Sequence, residues 1–252
     1  MSMEGKVAVI TGAARGLGAA FAQELSGMGM AVVVCDVRDC DETAAAVKKS
    51  GGKALSSKVD VTSAESAQVM AAAAVKAFGR IDVLVNNAAM YGNLHNGRFT
   101  DLDEQEWDAC MAVNVKGLWQ CAKACVPSMR EQGGGSVINI SSLAAIFGMP
   151  NALHYATSKG AVIGFTRALA RELGRDNIRV NAIAPSMVWT PGTREIMGNQ
   201  VDRFAEVVRN GQTLRRNLET DDLVGTVAYL AGDMSKFVTG QTIMVDGGTV
   251  YL

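Results

Sequence analysis

The stretch KVAVITGAARGLG, residues 6–18, decides the fold. Its first half is short, apolar and β-branched, which is typical of a strand buried on both faces of a sheet. The glycines Gly12, Gly16 and Gly18 follow, and a helical apolar pattern begins at Ala20. A strand, a glycine turn and a helix in this order present a helix N-terminus and free backbone N–H groups to a pyrophosphate. The stretch therefore predicts a dinucleotide site.

Each residue of this turn has an expected task. Gly12 permits the tight turn, Gly16 lets the backbone approach the phosphates, and Gly18 lets the helix pack close to the strand. The glycines are spaced GxxxGxG rather than as the common GxGxxG fingerprint. Arg15 and Leu17 lie between them and are assigned to the same cofactor site.

Asp36 ends the second predicted strand, about twenty residues after the glycine turn, where a carboxylate binds a ribose 2′-hydroxyl. The same carboxylate repels a 2′-phosphate, so Asp36 favours NAD over NADP. Arg15 and Arg38 favour NADP more weakly, because either is able to reach a 2′-phosphate. Burying a carboxylate beside a phosphate is costly, so Asp36 decides for NAD as the expected cofactor.

Strand and helix patterns alternate along the 252 residues. Strand cores are predicted at 7–11, 31–36, 54–58, 82–86, 136–140, 179–184 and 242–246. Helices are predicted at 17–28, 64–78, 103–132 and 153–174. The alternation predicts an α/β fold, a doubly wound parallel seven-stranded sheet of Rossmann type, as a single domain over 1–252. Ligands bind beyond the carboxyl ends of such strands. The residues expected at those ends are Gly12, Asp36, Asp60, Asn86, Ser142 and Pro185.

The overall composition excludes several classes of function. Twenty-four basic and twenty-five acidic side chains provide no electrostatic attraction for nucleic acid or a membrane surface. The amino terminus has no secretory pattern, and no apolar run approaches the ~20 residues of a membrane span. Five cysteines without framework spacing indicate reduced thiols in the cytoplasm. Only His95 and His154 are present, so no metal site is expected.

Tyr155 and Lys159 stand four residues apart within a predicted helix, so their side chains share one face. A tyrosine with its ordinary pKa near ~10 is a poor acid–base catalyst at neutral pH. A neighbouring ammonium group favours the phenolate, so Lys159 is expected to lower the pKa of Tyr155. The pair predicts general acid–base catalysis.

These motifs, in this order, resemble the short-chain dehydrogenase/reductase family over essentially the whole chain. The matching segments, besides the glycine turn, are Asp60-Val61, Asn86-Asn87-Ala88, Val113-Asn114-Val115, Ser141-Ser142, Tyr155 with Lys159, Asn181-Ala182-Ile183-Ala184-Pro185, Gly240-Gln241 and Val245-Asp246-Gly247-Gly248. Ser142 precedes Tyr155 by thirteen residues, the family's usual offset. Two positions depart from the family pattern, since Ala89 and Ser186 replace glycines. Ser186 borders the expected nicotinamide and substrate mouth, where it is able to reshape the pocket or add a hydrogen bond.

The resemblance implies hydride transfer between a nicotinamide and a carbinol or carbonyl carbon. It implies that Tyr155 is the general acid–base, that Ser142 binds the substrate oxygen, and that Lys159 lowers the pKa of Tyr155 and holds the ribose. Asn114 is expected to position a water that links Lys159 to solvent. The implied cofactor-binding residues are Gly12, Arg15, Gly16, Leu17, Gly18, Asp36, Asp60, Val61, Asn87, Tyr155, Lys159, Pro185, Val188 and Thr190. Thr190 is equally well explained as a cap before Pro191.

The family also implies a substrate lid, here at about 189–216, and a homotetramer. The lid carries apolar side chains at Trp189, Met197, Phe204, Val207 and Val208. Further apolar residues near the rim are Tyr91, Leu94, Ile146, Phe147 and Met149. These residues favour a small-molecule substrate, a hydrophobic and possibly aromatic or cyclic secondary alcohol or ketone. Helices 103–132 and 153–174 are expected to pair across a two-fold axis through Trp119, Ala122, Val126, Ala161, Phe165 and Ala168.

Two alternative functions remain open from the sequence. The first is an NADPH-dependent 3-oxoacyl thioester reductase, in which arginines dock an acidic carrier protein. Those arginines are Arg203, Arg209, Arg215 and Arg216. The second is a non-enzymatic dinucleotide-sensing protein that keeps the fold.

Overall fold

The computed structural model describes residues 3–92, 94–190, 193–194 and 201–251. The described strands are β1 (Val7–Thr11), β2 (Ala31–Asp36), β3 (Lys53–Lys58), β4 (Val83–Asn86), β5 (Gly135–Ile140), β6 (Ile178–Pro185) and β7 (Thr242–Val245). The described α-helices are α1 (Gly16–Gly27), α2 (Asp41–Lys49), α3 (Ala64–Phe78), α4 (Glu104–Met111), α5 (Gly117–Glu131), α6 (Ala144–Phe147), α7 (Leu153–Leu173), α8 (Val201–Gly211) and α9 (Asp221–Ala231).

Within the described residues, the strands form one seven-stranded parallel sheet in the order β3-β2-β1-β4-β5-β6-β7. Strand β1 lies at the point where the order reverses, with Val9 opposite Val33 of β2 on one side and Leu84 of β4 on the other. In an open parallel sheet, the crevice for a ligand opens at this point, beyond the carboxyl ends of the strands. The predicted fold class is confirmed.

Helices cover both faces of the sheet, so the central strands are largely apolar. One face packs against α1 and α9, and its buried residues include Ile10, Phe21, Leu25, Val34, Leu223 and Val227. The other face packs against α3, α5 and α7, and its buried residues include Val9, Val33, Met70, Met129, Leu173 and Val180. All five cysteines are free and buried. Burial on both faces explains why these strands read as continuous apolar runs.

The helix predicted at 103–132 is not uniform. A π-helical turn, Ala112–Lys116, separates α4 from α5, and Asn114 within it is fully buried. A π turn holds more residues than an α turn, which shifts the side chains that follow it around the axis, and such turns are frequent at functional sites. The periodicity of apolar residues does not reveal so short an irregularity.

Candidate active site

Ser142 and Tyr155 meet just beyond the carboxyl end of β5. Ser142 follows the strand by two residues, Tyr155 lies in the first turn of α7, and the Ser142 hydroxyl is close enough to the phenol to lower its pKa. The hydroxyl of Ser141 donates to the carbonyl of Lys159 at 2.8 Å, which ties α7 to the end of the strand. The structure thus brings the predicted serine and tyrosine together.

Lys159 lies behind this pair, with its ammonium group over the face of the Tyr155 ring. Its Nζ donates to the Ile140 carbonyl at 2.8 Å and lies 5.7 Å from the Tyr155 ring centroid. Burial lowers the pKa of Lys159 to about 8. Burial also raises the pKa of Tyr155 well above its ordinary value, against a smaller lowering by the hydrogen bond with Ser142. The net pKa of Tyr155 is raised because desolvation dominates, and the expectation that Lys159 lowers it stays a prediction.

The side chain of Asn114 is fully engaged by protein groups. Its Oδ1 accepts from the Met90 N–H at 2.7 Å, and its Nδ2 donates to the Met90 carbonyl at 3.1 Å. Nδ2 also donates to the hydroxyl of Ser158 at 3.0 Å. Asn114 therefore joins the segment after β4 to α7, and the water link expected of it stays a prediction.

Ser158 and Tyr91 complete the surroundings of Tyr155. The Ser158 hydroxyl donates to the Tyr155 carbonyl at 2.7 Å. The ring of Tyr91 packs against that of Tyr155, with centroids 4.9 Å apart and planes tilted by 49°. Sequence reasoning missed Ser158, although its position three residues after Tyr155 puts a hydroxyl within reach of that carbonyl. Tyr91, expected only at the rim, contacts the candidate acid–base itself.

His154 fixes the backbone of Tyr155. Its Nδ1 accepts from the Tyr155 N–H at 2.9 Å, and its side chain is fully buried. Ala152, the cap residue of α7, provides no side-chain hydrogen bond, so His154 satisfies a backbone donor of the first turn in its place. His154 therefore has a local structural role at the start of α7.

The glycine turn is shaped for close approach of another group. A Cβ on Gly12 would lie 2.7 Å from the Ala88 Cα, and one on Gly18 would lie 2.8 Å from the Ala13 Cα. Gly12 and Gly16 have φ values of +66° and +61°, which favour glycine. The first turn of α1 contains no acidic residue, so its backbone amides suit an anion. The turn fits a dinucleotide pyrophosphate.

Asn87 supports the glycine turn from below. Its Nδ2 donates to the carbonyls of Thr11 and Gly12 at 2.9 Å each. The Thr11 hydroxyl accepts from the N–H groups of Asn87 and Ala88 at 3.1 Å each. Thr11 was not singled out from the sequence, although a hydroxyl at the last position of a buried strand was a usable signal.

Two predicted carboxylates lie at the ends of β2 and β3. Asp36 accepts from the Ala14 N–H at 3.2 Å and from the Arg38 N–H at 3.0 Å, which places its carboxylate against the glycine turn. Asp60 is exposed and accepts from the N–H and the hydroxyl of Thr62 at 2.9 and 2.7 Å. Asp36, the residue expected to bind the ribose, therefore lies against the turn that is expected to bind the pyrophosphate.

The segment after β6 borders the same groove. A Cβ on Gly16 would lie 3.8 Å from the Thr190 side chain, so these two predicted residues face each other. The Thr190 hydroxyl accepts from the Thr193 N–H at 3.1 Å, which is the capping bond considered as its alternative role. Val188 forms a bridge with Leu218. Pro185 accepts from the Leu143 N–H at 2.8 Å, which joins this segment to the loop of Ser142.

The remaining predicted cofactor and rim residues vary in position. Leu17 is half-buried at the start of α1, and Val61 is buried against Gly117. Leu94 and Trp189 are buried, whereas the predicted lid residue Val207 is 64% exposed and points away from the protein. Phe147 is 66% exposed, which is consistent with a rim rather than a pocket floor. Met197 lies outside the described residues.

Two other kinds of site were searched for in the described residues. Across 3–92, 94–190, 193–194 and 201–251, no group of three or more His, Cys, Asp or Glu side chains is arranged to hold a metal ion. Over the same ranges, every helix is too short or too polar to span a membrane.

Comparison with known proteins decides the family. The profile of the family described as enoyl-(acyl carrier protein) reductase matches residues 12–250. The chain is 41% identical to the short-chain reductase protein NovJ of Streptomyces niveus, over 96% of this chain and 93% of that protein. The chain belongs to the short-chain dehydrogenase/reductase family. It is therefore an oxidoreductase that acts on CH–OH groups with a nicotinamide dinucleotide, and the hypothesis of a non-enzymatic sensor is wrong.

Other relatives in this family carry different substrate names. The chain is 38% identical to the 3-oxoacyl-[acyl-carrier-protein] reductase FabG of Thermotoga maritima, over 99% of this chain and all of that protein. It is also 38% identical to trans-4-hydroxycyclohexanecarboxylate dehydrogenase of Sinomonas cyclohexanicum, over 96% and 92% of the two chains. The crystal structure of a putative short-chain alcohol dehydrogenase from Sinorhizobium meliloti superposes with a TM-score of 0.92 at 34% identity, covering 98% and 97% of the two chains.

The glycine turn yields a test with a matched control inside α1. Gly18→Ala is expected to weaken NADH binding at least about tenfold and to lower the melting temperature, because its Cβ meets backbone atoms of the turn. Gly27→Ala adds the same methyl group where nothing lies within 4 Å, so it is expected to leave binding intact and stability unchanged or higher. Calorimetric titration and thermal unfolding measure both effects. Equal binding by the two variants would contradict the tight fit.

Proposed function

We propose that this protein is an NAD-dependent dehydrogenase of hydrophobic, cyclic secondary alcohols and of the corresponding ketones. The observation that carries the proposal is the Ser142 hydroxyl beside the Tyr155 phenol, whose pKa it lowers, with Lys159 buried behind the pair. Two hydroxyl groups that converge on one point suit a substrate oxygen which gains or loses a proton. The proposed catalytic residues are Asn114, Ser142, Tyr155 and Lys159.

The proposed mechanism follows from the protonation states. Because burial raises the pKa of Tyr155, the residue is a phenol at neutral pH and is ready to donate a proton to a carbonyl oxygen. Ser142 donates a hydrogen bond to the same oxygen and stabilises its developing charge. The bound nicotinamide supplies the hydride in reduction and accepts it in oxidation. In oxidation Tyr155 is the proton acceptor, so its phenolate must form first.

Formation of the phenolate requires Lys159 to change partner. Its Nζ donates to the Ile140 carbonyl in this arrangement and lies 5.7 Å from the centroid of the Tyr155 ring. Movement of the ammonium toward the Tyr155 hydroxyl would favour the charged form of the phenol. We infer that Lys159 serves both the tyrosine and the ribose hydroxyls.

Asp36 supports NAD as the preferred cofactor. Its carboxylate touches the glycine turn through Ala14 and is partly buried, so a 2′-phosphate placed there would be repelled. Gly12, Arg15, Gly16, Leu17, Gly18, Asp60, Val61, Asn87, Pro185, Val188 and Thr190 are proposed as the remaining cofactor contacts, together with Tyr155 and Lys159. Asn87 acts through the turn that it supports.

The substrate proposal rests on the aromatic surface beside the acid–base. Tyr91 packs on Tyr155. Leu94, three residues after Tyr91 in the sequence, is buried. A flat, apolar wall next to the proton donor suits a ring-shaped alcohol or ketone. The relative from Sinomonas cyclohexanicum, whose name specifies a hydroxycyclohexane acid, supports this class.

A 3-oxoacyl thioester reductase is the second candidate, since FabG of Thermotoga maritima is an equally similar relative. Of the four arginines expected to dock an acidic carrier protein, all are exposed and one is already paired with a carboxylate. Arg216 pairs with Asp222 through two hydrogen bonds of 2.5 and 2.6 Å. Activity on acyl thioesters with NADPH would decide for this candidate.

We also propose a cytoplasmic homotetramer. A groove of about 340 Å³ between α5 and α7 is lined by all the residues predicted to pair there except Ala161. Trp119 at its edge is 47% exposed in the single chain. An apolar groove of this kind suits a two-fold contact with a second copy. Five free, buried thiols support a reducing compartment.

The catalytic assignment predicts different losses for two variants. Tyr155→Phe is expected to lower kcat by about 10²–10⁴ with nearly unchanged NADH affinity, because only the proton donor is lost. Lys159→Ala is expected to lower both kcat and NADH affinity. Alcohol oxidation by the wild type is expected to rise with pH, because the base is the phenolate, whose formation burial disfavours.

Steady-state rates and NADH titrations measure these effects, with Tyr229→Phe on α9 as a control that removes a distant hydroxyl. If Tyr155→Phe kept about a third of wild-type turnover, Tyr155 would not be the acid–base.

Cofactor preference is the second prediction of the proposed function. The wild type is expected to favour NAD over NADP by at least about tenfold in kcat/KM, which corresponds to about 1.4 kcal/mol. Asp36→Ala is expected to reduce this preference, because the repelling carboxylate is gone. Asp39→Ala removes a nearby loop carboxylate that bonds only locally and is expected to leave it unchanged. Equal use of both cofactors by the wild type would overturn the assignment.

The assembly is tested by light scattering. The wild type is expected at about four times the chain mass of 26.5 kDa. Trp119→Glu is expected to yield smaller species, because it places a charge in the apolar groove. Val69→Glu alters a side chain of α3 that is 60% exposed and serves as the control. A wild-type mass of one chain would refute the proposal.

A further inference from the structure

Ser186 and Gln212 form a buried hydrogen bond between the end of β6 and the end of α8. The Gln212 Nε2 donates to the Ser186 Oγ at 2.9 Å. Gln212 is 3% exposed and Ser186 is 8% exposed. Ser186 is the residue that replaces the family's usual glycine, so this bond is a feature of this chain. Neither residue belongs to the proposed catalytic set.

Ser186 is rigidly attached to the sheet and lies close to the catalytic loop. Its N–H donates to the Val245 carbonyl at 3.1 Å. The preceding Pro185 accepts from the Leu143 N–H, directly after Ser142. Any group bonded to the Ser186 hydroxyl is therefore held in register with the serine of the candidate site.

Gln212 is the buried anchor of a helix that is otherwise weakly attached. In the described segment 201–217 it is the only buried residue, and α8 itself contributes none. Its amide oxygen packs on Gly247, where a Cβ would lie 2.9 Å away, and the φ of +63° there suits glycine. The amide thus occupies a slot that only glycine leaves open.

Backbone contacts align the two segments that this bond joins. Trp189 donates its N–H to the Leu218 carbonyl at 3.0 Å, and Leu214 donates to the Gly247 carbonyl at 3.0 Å. The Ser186–Gln212 bond is a buried side-chain hydrogen bond next to α8, whereas the bond of the neighbouring Thr213 hydroxyl to the Gly248 carbonyl is exposed. Its loss would leave a buried amide unpaired, a penalty that corresponds to about a five- to 150-fold change in an equilibrium constant.

We propose that the Ser186–Gln212 hydrogen bond is a clasp that sets how readily α8 separates from the segment after β6. Ser186 and Gln212 are then positioning residues, which act on substrate and cofactor through α8 and through residues 188–190. The kinetic part of this proposal rests on the proposed function. A weaker clasp would speed the opening that precedes release and would lower the affinity of whatever lies beneath it.

Hydrogen exchange without cofactor or substrate tests the clasp directly. Ser186→Ala is expected to raise amide exchange in 201–211 at least about fivefold, with the helices under the sheet unchanged. Ser186→Thr keeps a hydroxyl and is expected to restore protection. Ser128→Ala is the matched control, because Ser128 is equally buried at 8% and accepts one backbone bond, from the Ile81 N–H at 3.1 Å. Unchanged exchange of 201–211 in Ser186→Ala would overturn the proposal.

A double-mutant cycle tests whether the two residues act through one bond. Gln212→Leu is expected to raise exchange of 201–211 to a similar degree as Ser186→Ala. The double variant is expected to exchange no faster than the faster of the two single variants. Multiplied effects of the two substitutions would show that they act independently, and the clasp would be refuted.

Kinetics then separate positioning from chemistry. Ser186→Ala is expected to raise the Kd for NADH and the KM for the alcohol about three- to tenfold, while kcat stays unchanged or rises. Ser128→Ala is expected to change neither constant. A fall in kcat at constant KM would contradict a positioning role. If the wild type turned over no alcohol, the proposed function would fail, but the exchange experiment would still decide on the clasp.

Discussion

The site depends on one set of hydrogen bonds, in which Thr11 and Asn87 hold the ends of β1 and β4 together where the strand order reverses. The Asn87 amide supports the carbonyls beneath the glycine turn, and the Thr11 hydroxyl receives the N–H groups that follow β4. Backbone groups at strand ends lack partners within the sheet, so buried side chains must satisfy them. With these bonds in place, the turn keeps the positive φ values of Gly12 and Gly16.

Burial controls the chemistry of the second half of the site. Lys159 is buried and Tyr155 is half-buried, and desolvation pushes each toward its neutral form. The Ser158 hydroxyl donates to the Tyr155 carbonyl and accepts from the Asn114 amide, so it connects Tyr155 to Asn114. Under the proposed mechanism Tyr155 is a proton donor, and its conversion to a base needs a cation nearby. Lys159 is the proposed cation, and its Nζ donates to the Ile140 carbonyl in this arrangement.

The strands and the glycine turn follow closely from sequence, because each is determined by neighbours in the chain. The predicted strand cores differ from the observed ones by one residue or less, and α3 has the predicted bounds. Other details were not accessible. The π turn at Asn114 depends on contacts with Met90 and Ser158, and the direction of Val207 depends on how α8 lies against the sheet. None of these contacts has a local signature.

By itself the sequence determined which residues lie at the carboxyl edge of the sheet, because strand alternation and turn chemistry are short-range properties. It also determined the family, through motifs in a constant order. Only the tertiary structure decided the state of those residues: that burial raises the pKa of Tyr155, and that Ser186 bonds to Gln212. Desolvation and long-range pairing depend on what packs around a group in space, and residues distant along the chain supply that packing.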